Sequence, residues 1–131
     1  MVILIVDSSV RVAESLTALV AETRLPATTY HAASYAEALE LFIKKKPGIV
    51  LLDMNLPANR SVELLRKIKA GIEKTVVIAL LNNDNHHFRN QCRVIGTDIF
   101  LDKYHDHEQL PAVISAIAWK RTVENKEKPV E

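Results

Sequence analysis

The chain is predicted to be an α/β domain in which five strands alternate with five helices around a parallel sheet. Three observations predict it. Short apolar runs recur at residues 2–6, 49–52, 75–81 and 99–101, as strands covered on both faces should read. Between them lie segments whose apolar residues repeat at helical spacing. The 131 residues are 48% apolar and 25% charged, which suits one globular core and not a disordered chain.

Each element has its own signal. Residues 2–6 form a continuous β-branched run, and Ser8 or Ser9 can cap the helix after it. Val12, Leu16, Leu19 and Val20 share one face of that helix, and Pro26 helps end it. Residues 27–32 read as a weak second strand. Ser34 with Glu37 has the capping-box form, with Ala38, Leu41 and Phe42 inward behind it, up to Pro47-Gly48. Residues 49–52 are the third strand. After Pro57, Val62, Leu65 and Ile68 or Lys69 mark a helix that stops near Gly71. Residues 75–81 are the fourth strand, and residues 82–85 supply turn and cap chemistry. Phe88, Cys92 and Ile95 form the next helical face, closed by Gly96. Residues 99–101 are a short fifth strand. The last helix begins at Asp106 or Leu110, because Pro111 leaves its start open, and runs to Arg121 with Val113, Ile114, Ile117 and Trp119. The domain is therefore placed at residues 1–121, with 122–131 as a charged, frayed tail.

Strands joined by single helices imply parallel pairing and right-handed crossovers. Such sheets bind ligands outside the carboxyl ends of their strands. Three charges meet there: Asp7 after the first strand, Asp53 after the third and Lys103 after the fifth. A lone strand-end Asp is ordinarily a loop cap. Two carboxylates and an ammonium at one edge must pair or hold an ion. Asp7 and Asp53 can offer oxygen to a hard divalent cation, Lys103 can meet a phosphoryl group, and a carboxylate can act as the nucleophile that becomes an aspartyl-phosphate.

The bulk numbers narrow the partners. A net charge of +1 argues against direct DNA binding, which asks for a basic excess. The single Cys92 permits no internal disulfide and fits a reducing compartment. The opening apolar run is too short to be a signal peptide or membrane span. The expected location is the cytoplasm.

The segments Ile3-Leu4-Ile5-Val6-Asp7, Val50-Leu51-Leu52-Asp53-Met54-Asn55-Leu56-Pro57, Val62-Glu63-Leu64-Leu65 and Gly96-Thr97-Asp98-Ile99-Phe100-Leu101-Asp102-Lys103 together resemble the response-regulator receiver domain of two-component signalling. The resemblance spans about residues 2–120 and is nearest to single-domain receivers without an output domain. It implies a flavodoxin-like fold with strand order 2-1-3-4-5. It implies that a histidine kinase or phosphotransfer protein donates a phosphoryl group to Asp53, with Lys103 contacting the phosphate. It implies Mg²⁺ held by Asp7, Asp53 and the Asn55 carbonyl, and tuning of dephosphorylation by Asn55 and Asn83. No enzymatic activity beyond self-phosphorylation and autodephosphorylation is implied. The output would be protein–protein contact through the face of the fourth helix, fifth strand and fifth helix, and two copies could pair.

Departures from the family pattern qualify this. Its second acid is Ser8 here, a neutral and poorer ligand, so Asp7, Asp53 and Lys103 sum to −1 and metal binding should weaken. Its switch hydroxyl is Leu81, which cannot donate a hydrogen bond. Its switch Tyr is Phe100, and the glycine expected before Val62 is Ser61, read as a minor backbone change. The alternative function is therefore a pseudo-receiver that binds a partner without phosphorylation. A flavodoxin-type enzyme is discounted, because three glycines build no phosphate loop.

The remaining candidates read as structural. His86, His87, His105 and His107 lack zinc-ligand spacing and are expected on the surface. The lysines at 44–46 suit a helix C-terminus. Cys92 is expected to be a buried thiol. Asn55 and Asn83 read equally well as ordinary turn asparagines.

Overall fold

A computed structural model of the chain describes residues 1–71, 74–82 and 86–127, with side chains described through residue 124. Five strands, β1 (Val2–Val6), β2 (Thr28–Ala32), β3 (Ile49–Asp53), β4 (Val76–Leu81) and β5 (Ile99–Asp102), alternate with helices α1 (Val10–Ala21), α2 (Tyr35–Lys45), α3 (Arg60–Ala70), α4 (His86–Ile95) and α5 (Leu110–Glu127). All neighbouring strands are parallel, and the order is β2-β1-β3-β4-β5. This is the flavodoxin-like arrangement expected.

Strand residues alternate between two cores, as the period of two requires. Leu4, Val6, Val50, Leu52, Val77, Ala79 and Leu81 face α2, α3 and α4, which contribute Ala38, Leu64, Leu65, Ile68 and Cys92. Ile3, Ile5, Ile49, Leu51, Ile78, Leu80 and Leu101 face α1 and α5, which contribute Ala13, Leu16, Val20, Leu110 and Ile114. β3 is buried along its whole length, so the strand carrying Asp53 is central in sequence, in the sheet and in the core.

Caps set the helix starts. Ser9, not Ser8, caps α1, its Oγ accepting from the Val12 N–H. Ser34 Oγ accepts from the Glu37 N–H, and Glu37 reaches back to the N–H of Ala33, one residue before the cap. Lys46 closes α2 in the left-handed conformation. In α3 it is Ile68 that is buried, while Lys69 pairs with Asp98 at 2.6 Å. The expected cap residues 83–85 lie outside the described residues.

The last helix starts at Leu110, one of the two expected positions, while its expected end and the place of Trp119 need correction. A single 3₁₀ turn, His107–Gln109, precedes α5, and Pro111 sits at its second residue, where a missing N–H costs no helical bond. The helix then runs to Glu127, so residues 122–127 are helical and not frayed. The Thr122 hydroxyl bonds the Ala118 carbonyl. Trp119 is 71% exposed and takes no part in the core.

Arg121 ties this helix to the sheet. Its Nη2 donates to the carbonyls of Gly48 at 2.9 Å and Lys74 at 2.6 Å. A Cβ on Gly48 would crowd its Nη1, so a side chain there would have to shift this guanidinium. Arg121→Ala is expected to lower stability by about 1–2 kcal/mol, since hydrogen bonds from a charged donor exceed neutral ones. Urea denaturation would measure it, and an unchanged midpoint would contradict it.

Candidate functional site

The parallel sheet brings three chain segments to one edge. Asp7 follows β1, Asp53 ends β3 and Lys103 follows β5. Lys103 Nζ stands 2.7 Å from Asp7 Oδ2 and 3.4 Å from Asp53 Oδ2. The three side chains are between 1% and 8% exposed. Segments separated by some 50 residues thus build one nearly dry cluster with two negative charges and one positive.

The main chain holds each carboxylate. Asp7 Oδ1 accepts from the Ser9 N–H at 2.8 Å, and Asp53 Oδ1 accepts from the Asn55 N–H at 3.0 Å. His31, on β2, donates from Nε2 to the Asp7 carbonyl at 2.8 Å, since a carbonyl can only accept. The Lys103 N–H pairs with the Leu81 carbonyl, which anchors β5 beside β4.

The charges do not balance. Burial pushes the Asp53 carboxyl above its ordinary range, the Asn55 amide pulls it back, and the nearby Asp7 charge raises it again against the pull of Lys103. Burial works against the charge of Lys103, but its bond to Asp7 and the two carboxylates outweigh burial and leave its pKa raised. Asp7 Oδ2 forms its ion pair with Lys103 at 2.7 Å and has no further hydrogen-bond donor among the described residues. A buried anionic oxygen of this kind, beside a second carboxylate, has the donor chemistry of a hard-cation site. Among the described residues no three His, Cys, Asp or Glu side chains converge, so such a cation would depend on two carboxylates and neutral oxygens.

The other expected site residues are spread around this cluster. Ser8 is exposed at its mouth, and Asn55 is exposed beside it. Leu81 is buried in the core facing α2, α3 and α4. Phe100 is half-buried, with the guanidinium groups of Arg89 and Arg93 at 5.3 and 5.5 Å from its ring centre. Asn83 lies outside the described residues. His86, His87, His105 and His107 are exposed, Lys44 pairs with Glu40 on the surface of α2, and Cys92 is fully buried. Ser61 is the residue that sequence reasoning undervalued. It is 1% exposed, and its hydroxyl bonds both the Asp53 carbonyl and the Leu56 N–H. Its signal was a polar residue where the resemblance expects glycine.

Comparison with known proteins agrees with this geometry. Residues 3–115 match the model of the response regulator receiver domain. The chain belongs to this family. A curated relative, sporulation initiation phosphotransferase F of Bacillus subtilis, is 36% identical over 52 residues, which is 40% of this chain and 42% of that protein. The match thus spans less than half of that relative. Among solved structures, a signal receiver domain from Vibrio parahaemolyticus superposes with a TM-score of 0.85 at 19% identity, covering 98% of both chains. The signal receiver domain of a DNA-binding response regulator from Colwellia psychrerythraea gives 0.83 at 20% identity, over 90% of this chain and 98% of that one. At these identities the superpositions speak for the fold. The receiver's candidate site stands at the sheet edge where that fold places ligands.

Proposed function

We propose that this receiver accepts a phosphoryl group on Asp53 from a histidine kinase or phosphotransfer protein and signals through protein–protein contact. One observation carries the reading: the Asp53 carboxylate ends the central strand within 3.4 Å of the Lys103 ammonium, with Asp7 at 2.7 Å from the same ammonium, in a chain of the receiver family. In the transfer, an Asp53 oxygen attacks phosphorus, the donor's nitrogen–phosphorus bond breaks, and the freed imidazole nitrogen keeps the bonding pair and takes up a proton. The new oxygen–phosphorus bond makes an acyl phosphate. Lys103 offsets the charge carried onto the oxygens, and the Asn55 N–H aligns the carboxylate. Asp7, Asp53 and the Asn55 carbonyl would hold Mg²⁺, with Ser8 at most a neutral addition. When bound, the ion supplies charge neutralisation between the carboxylates and the phosphoryl oxygens.

The cytoplasm is the compartment where such donors would reach it, and no helix among the described residues is long and apolar enough to cross a membrane. The test is labelling with a small phosphodonor at saturating magnesium, read by intact mass. The wild-type chain should gain one phosphoryl group and Asp53→Asn none. Absence of an acyl phosphate under those conditions would end this reading.

A second reading has its own support. Leu81 fills core where the family pattern has a hydroxyl, and Phe100 lies against two arginines of α4 without a hydroxyl to re-pair. A phosphoryl group shifts an equilibrium only through contacts that differ between two states, and Leu81 offers no such polar contact. Under this reading the domain binds its partner without phosphate. Asp53→Asn would then leave partner binding intact, and loss of binding in that variant would exclude it.

A further inference from the structure

The loop between β3 and α3 carries the neighbours of Asp53, and its backbone is unusual. Pro57–Asn59 form a 3₁₀ turn in which Ala58 and Asn59 have φ of 58° and 55°. Two successive non-glycine residues in the left-handed region crowd Cβ against backbone. Such a segment persists only where its surroundings hold it.

One side chain holds it from within. Ser61, in the first turn of α3, sends its hydroxyl back under the loop. The hydroxyl donates to the Asp53 carbonyl at 2.7 Å and accepts from the Leu56 N–H at 3.0 Å. Both bonds are buried, and both join main-chain groups that the sheet ladder and the helix leave unpaired. Between those two anchors lies Asn55, whose N–H is 3.0 Å from Asp53 Oδ1. Glycine or alanine at position 61 would leave a buried donor and a buried acceptor without partners.

We propose that Ser61 is a positioning residue for the Asp53 site. Its hydroxyl fixes the stretch from Asp53 to Leu56, so the Asn55 amide stays on the carboxylate, and it joins that stretch to the first turn of α3. The inference rests on Asp53 being the functional carboxylate, as proposed above. It assigns work to a position where the sequence pattern suggested a minor backbone change.

The experiment is amide NMR on Ser61→Ala, with Ser61→Gly as the second hydroxyl-free variant should alanine fold poorly, and Ser61→Thr as the variant that keeps the hydroxyl. Loss of one buried hydrogen bond should speed Leu56 amide exchange by roughly tenfold or more. The Ile5 amide in β1 should keep its wild-type rate. The Asn55 amide proton should move upfield as its bond to Asp53 lengthens, and threonine should restore it. Exchange at Leu56 rising only in step with Ile5 would reveal a general stability role and overturn the inference. An unmoved Asn55 amide would overturn it equally. A separate magnesium titration of wild-type protein addresses the functional reading. A wild type without any magnesium response would sink the metal-assisted reaction while the Leu56 and Asn55 signals still decide the role of Ser61.

Discussion

Lys103→Met is expected to cost the receiver about 3–5 kcal/mol at neutral pH, the range for breaking a buried ion pair by removing one partner. Methionine keeps the stem length and removes the charge. Asp7 and Asp53 would then face each other in a site where their side chains are 1% and 4% exposed. Two buried carboxylates without a cation cannot both stay ionised cheaply. The loss should depend on pH with a definite sign. In the variant, the folded state holds its carboxyl protons to higher pH than the unfolded chain does. Folded protein then binds more protons than unfolded protein, so stability falls as pH rises. The variant should recover most of its deficit near the ordinary carboxylate value of 3.8. The wild type should show a shallower fall over the same range, because burial already raises the Asp53 carboxyl. It should also show a second loss at alkaline pH. The raised Lys103 pKa contributes stability that is full below the ordinary value of 10.5 and disappears as pH rises through the folded value. Urea midpoints at pH 4.5 and 7, in chelator, would measure this. An equal deficit at both values would mean that methionine harms packing and not charge balance.

Much of this arrangement was legible because it derives from period and topology. β1 and β3 read as unbroken apolar runs since both faces are covered, and that places Asp7 and Asp53 at one edge from sequence alone. What escaped was decided by packing between distant segments. Trp119 reads with the apolar residues of α5, yet it stands two residues past Ile117 and five past Ile114, off the helical face that buries Leu110 and Ile114, so the indole is left outside. Arg121 finds the carbonyls of Gly48 and Lys74, just ahead of β3 and β4, which no local pattern announces. Ser61 looked like a small change of backbone freedom. Its hydroxyl acquires meaning only when the loop folds back over it. His31 on β2 is similar: alternation places it on the strand, but only pairing with β1 brings its ring to the Asp7 carbonyl.

The two readings of function part at the metal and at the switch, and Ser8→Asp separates those causes. Ser8 is exposed at the mouth of the cluster, so a carboxylate there can be solvated and costs little packing. It would take the summed charge of the site from −1 to −2. Because oxygen sites tune affinity through ligand charge, Mg²⁺ should bind roughly ten- to a hundredfold more tightly. Without metal the same variant should be less stable than wild type, since a third anion joins two that share one ammonium. Saturating magnesium should reverse the order. Calorimetric titration gives the affinity, and melting with and without magnesium gives the stabilities. An unchanged magnesium affinity would mean that no cation is held between Asp7 and Asp53. Labelling of Asp53 then carries the decision further. If tighter magnesium binding brings faster acyl-phosphate formation, the missing acid limited the reaction, and Leu81 affects only the relay after phosphorylation. If magnesium binds tightly and Asp53 still takes no phosphoryl group, the obstacle is the absent hydroxyl at Leu81, and the phosphate-independent reading gains. The buried Asp53 carboxylate is present under either result, so its surroundings decide its use.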